Sequence, residues 1–156
     1  MTYSPLALRV LPSPKSDDRK DNPITRILIR TAAEGSNESI EDNLAFGDNH
    51  ESANYVARTD GSLTGIVPEE RSSWFPQGVD LAAITVMAVV VTTPDSIAMS
   101  ERTTDMLAHL LAQTSLRRGW GPIIRGNNLL GDSPVLTDEV LDDLAAKANT
   151  ILGKDT

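Results

Sequence analysis

Apolar and polar residues alternate along ITRILIRT (residues 24–31), the two-residue period of a strand, and the polar stretch AAEGSN closes it. Ser36 or Asn37 can cap a short helix over ESIEDNLAF, with Ile40 and Leu44 on one face and Gly47 as its stop. ANYVARTDGSLTGIVPEE (residues 53–70) divides at Asp60-Gly61 into two short β-like runs, a strong hairpin signal. AAITVMAVVVTT (residues 82–93) is apolar on both faces, which predicts a central strand covered on both sides. After Pro94, Ser100 can cap a helix over ERTTDMLAHLLAQTSLRR, where Met106, Leu107, Leu110 and Leu111 form the apolar stripe and Arg117 and Arg118 suit the carboxyl end. Gly119 and Gly121 end it. PIIRG (residues 122–126) is strand-like, and NNLLGDSP (residues 127–134) reads as a loop. Thr137 can cap a last helix with Asp138 and Glu139 in its first turn, Leu141, Leu144, Ala148 and Ile151 on one face, and Gly153 as its stop. The order β-α-β-β-β-α-β-α predicts an α/β fold, a mixed central sheet flanked by helices.

Residues 1–22 carry Pro5, Pro12 and Pro14 and then the charged cluster KSDDRKDN, a composition that predicts an extended arm ahead of one domain over residues 23–153. The chain's 156 residues, 40% hydrophobic and 23% charged, suffice for one domain with a sizeable core. The net charge is −8 and there is no basic run, so neither nucleic acid nor an anionic membrane is an expected partner. The longest apolar run, residues 82–91 with Thr85 inside it, falls far short of the ~20 residues of a membrane span. The amino-terminal residues show no charged-then-apolar pattern, so secretion by the usual route is not expected. With no cysteine, thiolate chemistry and disulfides are excluded; His50 and His109 are the imidazoles.

Particular words within this order resemble the zinc-dependent N-acetylmuramoyl-L-alanine amidase and peptidoglycan-recognition-protein family, in the form found in actinobacterial phage lysins. ILIRTAAEGS is similar to that family's first strand with its VHTAEG-type ending, and SANYVARTDGSLTGIVPEERSSW to its HY…DG…VPE…AWH hairpin and loop. AAITVMAVVV resembles the SIGIEIV central strand, and LLAQTSLRRGWGPIIRGNNLLGDSP the late helix followed by a GH word and a PG. The resemblance runs from residue 23 to residue 152, and TDGSLTGIVPEERSSW is its most specific segment.

The resemblance implies a zinc ion held by a histidine ending the first strand, the histidine of GH, and a third ligand just before the PG, the metal polarising an amide and activating water. This chain departs from that set. The first position falls on Arg30 or Thr31, the second on Asn127 after Gly126, and the third on Ser133 before Pro134. Asn54 stands at the HY histidine, Phe75 at that of AWH, and Met87 at the central strand's glutamate. Zinc prefers imidazole, thiolate or carboxylate, so no metal and no cofactor are expected. His50 reads as a solvated loop histidine, His109 as a core or edge residue of its helix, and Asp132 as a turn carboxylate. Glu69 and Glu70 resemble a surface turn and imply no acid/base pair.

These departures lead to the expectation of a non-catalytic protein, a structural or wall-binding component of a phage particle at the tail or tail tip. Its degenerate groove would comprise Arg30, Thr31, Asn54, Trp74, Asn127 and Ser133, with Trp74 serving as packing residue or sugar platform. The expected partners are other virion proteins and peptidoglycan fragments, and the expected location is the virion, assembled in the host cytoplasm. Two alternatives stand beside it: an active peptidoglycan amidase with a non-standard metal site, such as His50 with Asp132, and a regulator that binds a true amidase.

Overall fold

The computed structural model describes residues 2–33, 35–75, 83–93 and 98–154. The first predicted strand is present as β3 (Arg26–Ala32), after two earlier strands, β1 (Ala7–Val10) and β2 (Ser16–Asp18). Helix α1 (Asn37–Phe46) begins at Ser36, whose hydroxyl accepts the Ser39 N–H, and closes at Gly47. Strands β4 (Tyr55–Ala57) and β5 (Leu63–Gly65) pair antiparallel across the Asp60-Gly61 turn. Gly61 has φ +85°, and a Cβ there would lie 2.9 Å from the Arg102 carbonyl oxygen, so the turn needs glycine twice over.

Strand β6 (Arg71–Ser73) pairs antiparallel with β2 in a small second sheet. A short 3-10 turn, Ala83–Thr85, leads into β7 (Val86–Thr92), which is buried along its whole length as its two-sided apolar pattern requires. The predicted start of this strand at residue 82, and Pro94, lie outside the described residues. Helix α2 (Glu101–Arg118) is capped by Ser100 and ends at Gly119 with φ +70°. Strand β8 (Leu129–Asp132) and helix α3 (Asp138–Lys154) complete the chain.

The described residues form a six-stranded mixed sheet in the order β1-β5-β4-β7-β3-β8. Strands β4, β7, β3 and β8 run parallel. Alternation along each strand sends one set of side chains to each face. Ile27, Ile29, Met87, Val89 and Leu129 pack with Leu107, Leu110 and Leu111 of α2 and Leu141 and Leu144 of α3. Leu28, Val86, Ala88 and Val90 pack with Ile40 and Leu44 of α1. Burying each of these Val, Leu, Ile and Met side chains stabilises the fold by ~1.5–3 kcal/mol.

Three expectations need correcting. Residues 1–22 were expected to be an extended arm ahead of the domain, but β1 pairs parallel with β5 and β2 pairs antiparallel with β6. Their prolines fall at Pro5, Pro12 and Pro14, outside both strands, so no ladder N–H is lost. The late strand is LLGD, not PIIRG. Ile123 is held in a loop by Asn149, which accepts its N–H at 2.7 Å and donates to its carbonyl at 3.0 Å, while Asn128 closes a turn on Ile124 and Pro122. Gly153 does not stop the last helix, which continues to Lys154.

Candidate active site at the carboxyl ends of the parallel strands

Strands β3 and β8 are parallel and in register, Leu28 opposite Leu130 and Arg30 opposite Asp132. Leu28 and Leu130 face the α1 side, so two residues further on Arg30 and Asp132 emerge there side by side. Thr31 and Ser133 alternate to the other face, where the Thr31 hydroxyl donates to Ser133 Oγ at 2.6 Å. Gly131 sits where α3 packs on this edge: a Cβ there would come within 2.9 Å of a Leu141 methyl and 3.1 Å of the Leu136 Cβ, so a larger residue would make these side chains shift.

The Arg30 guanidinium lies between two carboxylates, with Nη1 3.5 Å from Glu51 Oε1 and Nε 3.8 Å from Asp132 Oδ2. The side chains of Arg30, Glu51 and Asp132 are 14%, 29% and 55% exposed, so the cluster opens outward through Asp132. Both separations exceed a charge-assisted hydrogen bond, and Arg30 Nη1 is buried with no hydrogen-bond partner. A cleft of about 250 Å³ lined by Thr31, Ile40, Asn43, Leu44 and Glu51 lies on the α1 side. One of about 520 Å³, lined by Thr31, Thr93, Ser133, Pro134 and Val135, lies on the other.

Of the expected groove residues, Arg30, Thr31 and Ser133 therefore meet at one sheet edge. Asn54 does not join them. It is fully buried, its amide donating to the carbonyls of Val67, Pro68 and Arg71 at 3.1, 3.3 and 3.2 Å while its oxygen accepts the Ala88 N–H at 3.0 Å. Asn127 is exposed in the turn before β8, at the opposite end of that strand from Asp132. Trp74 is half-buried beneath His50, the rings stacked 4.6 Å apart at 13°. Its backbone bonds to Ser52, which sets this aromatic pair against the loop that carries Glu51. Phe75 and Met87 are core residues on opposite faces of the sheet. His109, expected in the core or at the edge of its helix, is exposed on α2 with its ring bonded to the Asp105 carbonyl at 2.9 Å, so of the two the core is excluded. Asp132 ends a strand and does not sit in a turn.

Glu51 escaped the sequence reading. Its only signal is a carboxylate in the loop after α1, FGDNHES, and nothing local ties that loop to Arg30.

The zinc implied by the family resemblance does not fit these residues. Two ligands from adjacent parallel strands must point to one face at one height, which here selects Arg30 and Asp132. A guanidinium carries no lone pair for a metal and repels it. The other face offers two hydroxyls already bonded to each other. Among the described residues, no three of His, Cys, Asp and Glu gather as a metal-holding group, so the His50 and Asp132 site also lacks its donors.

A second ionic cluster lies beside the amino ends of β3 and β7. Glu69, expected on a surface turn, is fully buried. Its carboxylate accepts both Arg117 terminal nitrogens at 3.1 Å, Arg118 Nη2 at 3.0 Å and the Tyr55 hydroxyl. Arg19 donates to the Glu69 and Ile84 carbonyls at 2.7 and 2.9 Å. Burial and the Glu69 charge push the Tyr55 phenol far up. Burial, together with neighbouring Arg118, brings Arg19 down to about 10.

A mixed sheet with α1 on one face, α2 and α3 on the other, and an open site at the carboxyl ends of β3 and β8 is the N-acetylmuramoyl-L-alanine amidase fold. A selenomethionine derivative of AmpD matches with TM-score 0.72 at 18% identity, over 91% of this chain and 96% of that one. Staphylococcus aureus hydrolase AmiA, solved with its ligand, matches with TM-score 0.68 at 13% identity over 96% and 87%. The endolysin N-acetylmuramoyl-L-alanine amidase LysCS from Clostridium intestinale matches with TM-score 0.60 at 13% identity over 92% and 97%. No family model matches the sequence, and no curated protein is similar to it in sequence. The expectation of a non-enzyme is thereby overturned. It rested on the replaced ligands alone, whereas the structures sharing this fold over nearly all of both chains include an endolysin amidase and a hydrolase.

Proposed function

We propose that this chain is a cell-wall amide hydrolase that acts on peptidoglycan at the carboxyl ends of β3 and β8 with a non-standard site. The observation that carries the proposal is the convergence of Arg30, Asp132 and Glu51 on one face at that end of the sheet, beside an open cleft. Asp132 is exposed and can take a proton from an attacking water, as general-base catalysis requires. The likeness to LysCS and AmiA supports an amide in the bacterial wall as substrate. A place in a phage particle, where such an activity would open the wall during entry, belongs to the same proposal and follows from the resemblance of TDGSLTGIVPEERSSW to phage lysins.

The test is incubation with purified peptidoglycan in the presence of a chelator, followed by labelling of newly freed alanine amino groups. Release of these groups, reduced about 100-fold or more in Asp132→Asn, is the expected result. Absence of release from walls of several types would overturn the proposal.

A further inference from the structure

We infer that the Arg30 guanidinium holds the carbonyl oxygen of a neutral peptide amide, taking the place of a metal ion at this end of the sheet. The proposed wall-directed function enters only in naming the larger molecule to which that amide belongs.

Arg30 is compensated in charge but not in hydrogen bonds. Glu51 and Asp132 flank it at 3.5 and 3.8 Å, yet no hydrogen bond from its guanidinium nitrogens is present among the described residues, and Nη1 is buried without a partner. A buried donor left unmade is unfavourable, and an acceptor that meets it as the side chain turns toward the cleft recovers that loss. The other ionic cluster shows what a completed arrangement looks like, because there the bonds between the arginines and Glu69 span 3.0–3.1 Å.

The choice of acceptor follows from local charge. One guanidinium and two carboxylates leave the cluster at a formal −1. A ligand carboxylate would enter beside two like charges and be repelled, whereas an amide oxygen brings a partial negative charge and no net one. Asp132, whose exposed carboxylate forms the open side of the cluster, stays available to accept from a water beside that carbonyl. The guanidinium presents several N–H groups in fixed directions, and one carbonyl oxygen, with two lone pairs, can accept from two of them.

The experiment follows the Arg30 Nε–H resonance by NMR in the full chain, with chelator present, during titration with N-acetyl-L-alanine amide, N-acetyl-L-alanine and muramyl dipeptide. The neutral amide is expected to shift the resonance saturably, with the carboxylate roughly tenfold weaker or more. Because Arg30→Gln removes the probe resonance, the variants are read by backbone amide shifts at Asp132 and Glu51. Arg30→Gln is expected to weaken amide binding by about tenfold or more, and Arg30→Lys to recover only part of it. Thermal melts check that both variants fold, and if Arg30→Gln does not, Arg30→Lys carries the comparison. Equal or tighter binding of the carboxylate, dependence on added zinc, or unchanged affinity in a folded variant would overturn the inference. A resonance that moves with the small amide but not with muramyl dipeptide would uphold the inference and sink the wall-directed function. Binding of muramyl dipeptide with Arg30 unmoved and unneeded would do the reverse.

Discussion

Two clusters of arginine and carboxylate lie at different ends of one sheet, and they are built to opposite standards. Around Glu69 the carboxylate is fully buried and saturated by Arg117, Arg118 and Tyr55. Around Arg30 the charges are loose and half open to solvent, and one buried nitrogen has no partner. A saturated cluster ties elements together: Glu69 joins the loop after β5 to the end of α2, and Tyr55 passes the link to the Ser4 N–H and so to the amino-terminal segment. An unsaturated one has bonding capacity left for something else. The contrast separates a polar group kept for the fold from one kept for a ligand, and it rests on hydrogen bonding rather than on charge.

The largest effect should come from Glu69→Ala, which strands two arginines and a buried phenol. Arg117 and Arg118 are 31% and 30% exposed and can turn partly to water, so the loss should be about 3 kcal/mol, near the lower end for a broken buried pair. Urea unfolding measures it. A loss below about 1 kcal/mol would mean that the cluster is not structural. Tyr55→Phe comes next, at about 1–2 kcal/mol, because the Ser4 N–H loses its acceptor in a buried place.

A third ion pair sharpens the scale between these two. Burial alone would raise the Glu41 carboxyl, but hydrogen bonds from Arg58, with Nε 2.9 Å from Oε2, outweigh it and hold the group below its usual value. A carboxyl lowered on folding contributes stability that is complete above its unfolded value of about 4.5 and is lost as pH falls through the folded one. Denaturation midpoints at pH 7 and pH 3 should therefore differ less in Arg58→Gln than in the parent chain. An unchanged difference would show that this pair adds nothing to acid sensitivity.

Arg30→Met should cost no more than about 1 kcal/mol, since it removes an unmet donor and leaves two carboxylates with access to water. A loss as large as that of Glu69→Ala would erase the contrast and make Arg30 a structural residue. The smallest effect belongs to His50→Ala. The stack on Trp74 is exposed on the His50 side, so stability should change by less than about 0.5 kcal/mol. Tryptophan fluorescence should shift as the indole gains contact with water, and an unshifted spectrum would mean that the ring is shielded by something other than His50.

What could be read along the chain was whatever depends on neighbouring residues. The period of residues 24–31, the two-faced apolar run of β7, the Asp60-Gly61 turn and the serine caps of α1 and α2 are local, and each appears in the fold where the pattern places it. The amidase-like order of elements followed from them. The late strand escaped because PIIRG and NNLL are equally apolar, and the choice between them belongs to Asn149 of α3 and to the register with β3. The same register decided between Arg30 and Thr31 as the residue facing Asp132, since a shift of one residue turns every side chain to the other face. Glu51 and the burial of Glu69 were illegible for a related reason: their partners lie 21 and 48 residues away, Arg30 and Arg117. Sequence by itself determined the three helices, most of the central strands and their order, because hydrophobic period and turn chemistry act over a few residues. Only the tertiary structure decided which charges meet, because hydrogen bonding between distant side chains depends on angstrom-scale placement that no local pattern records.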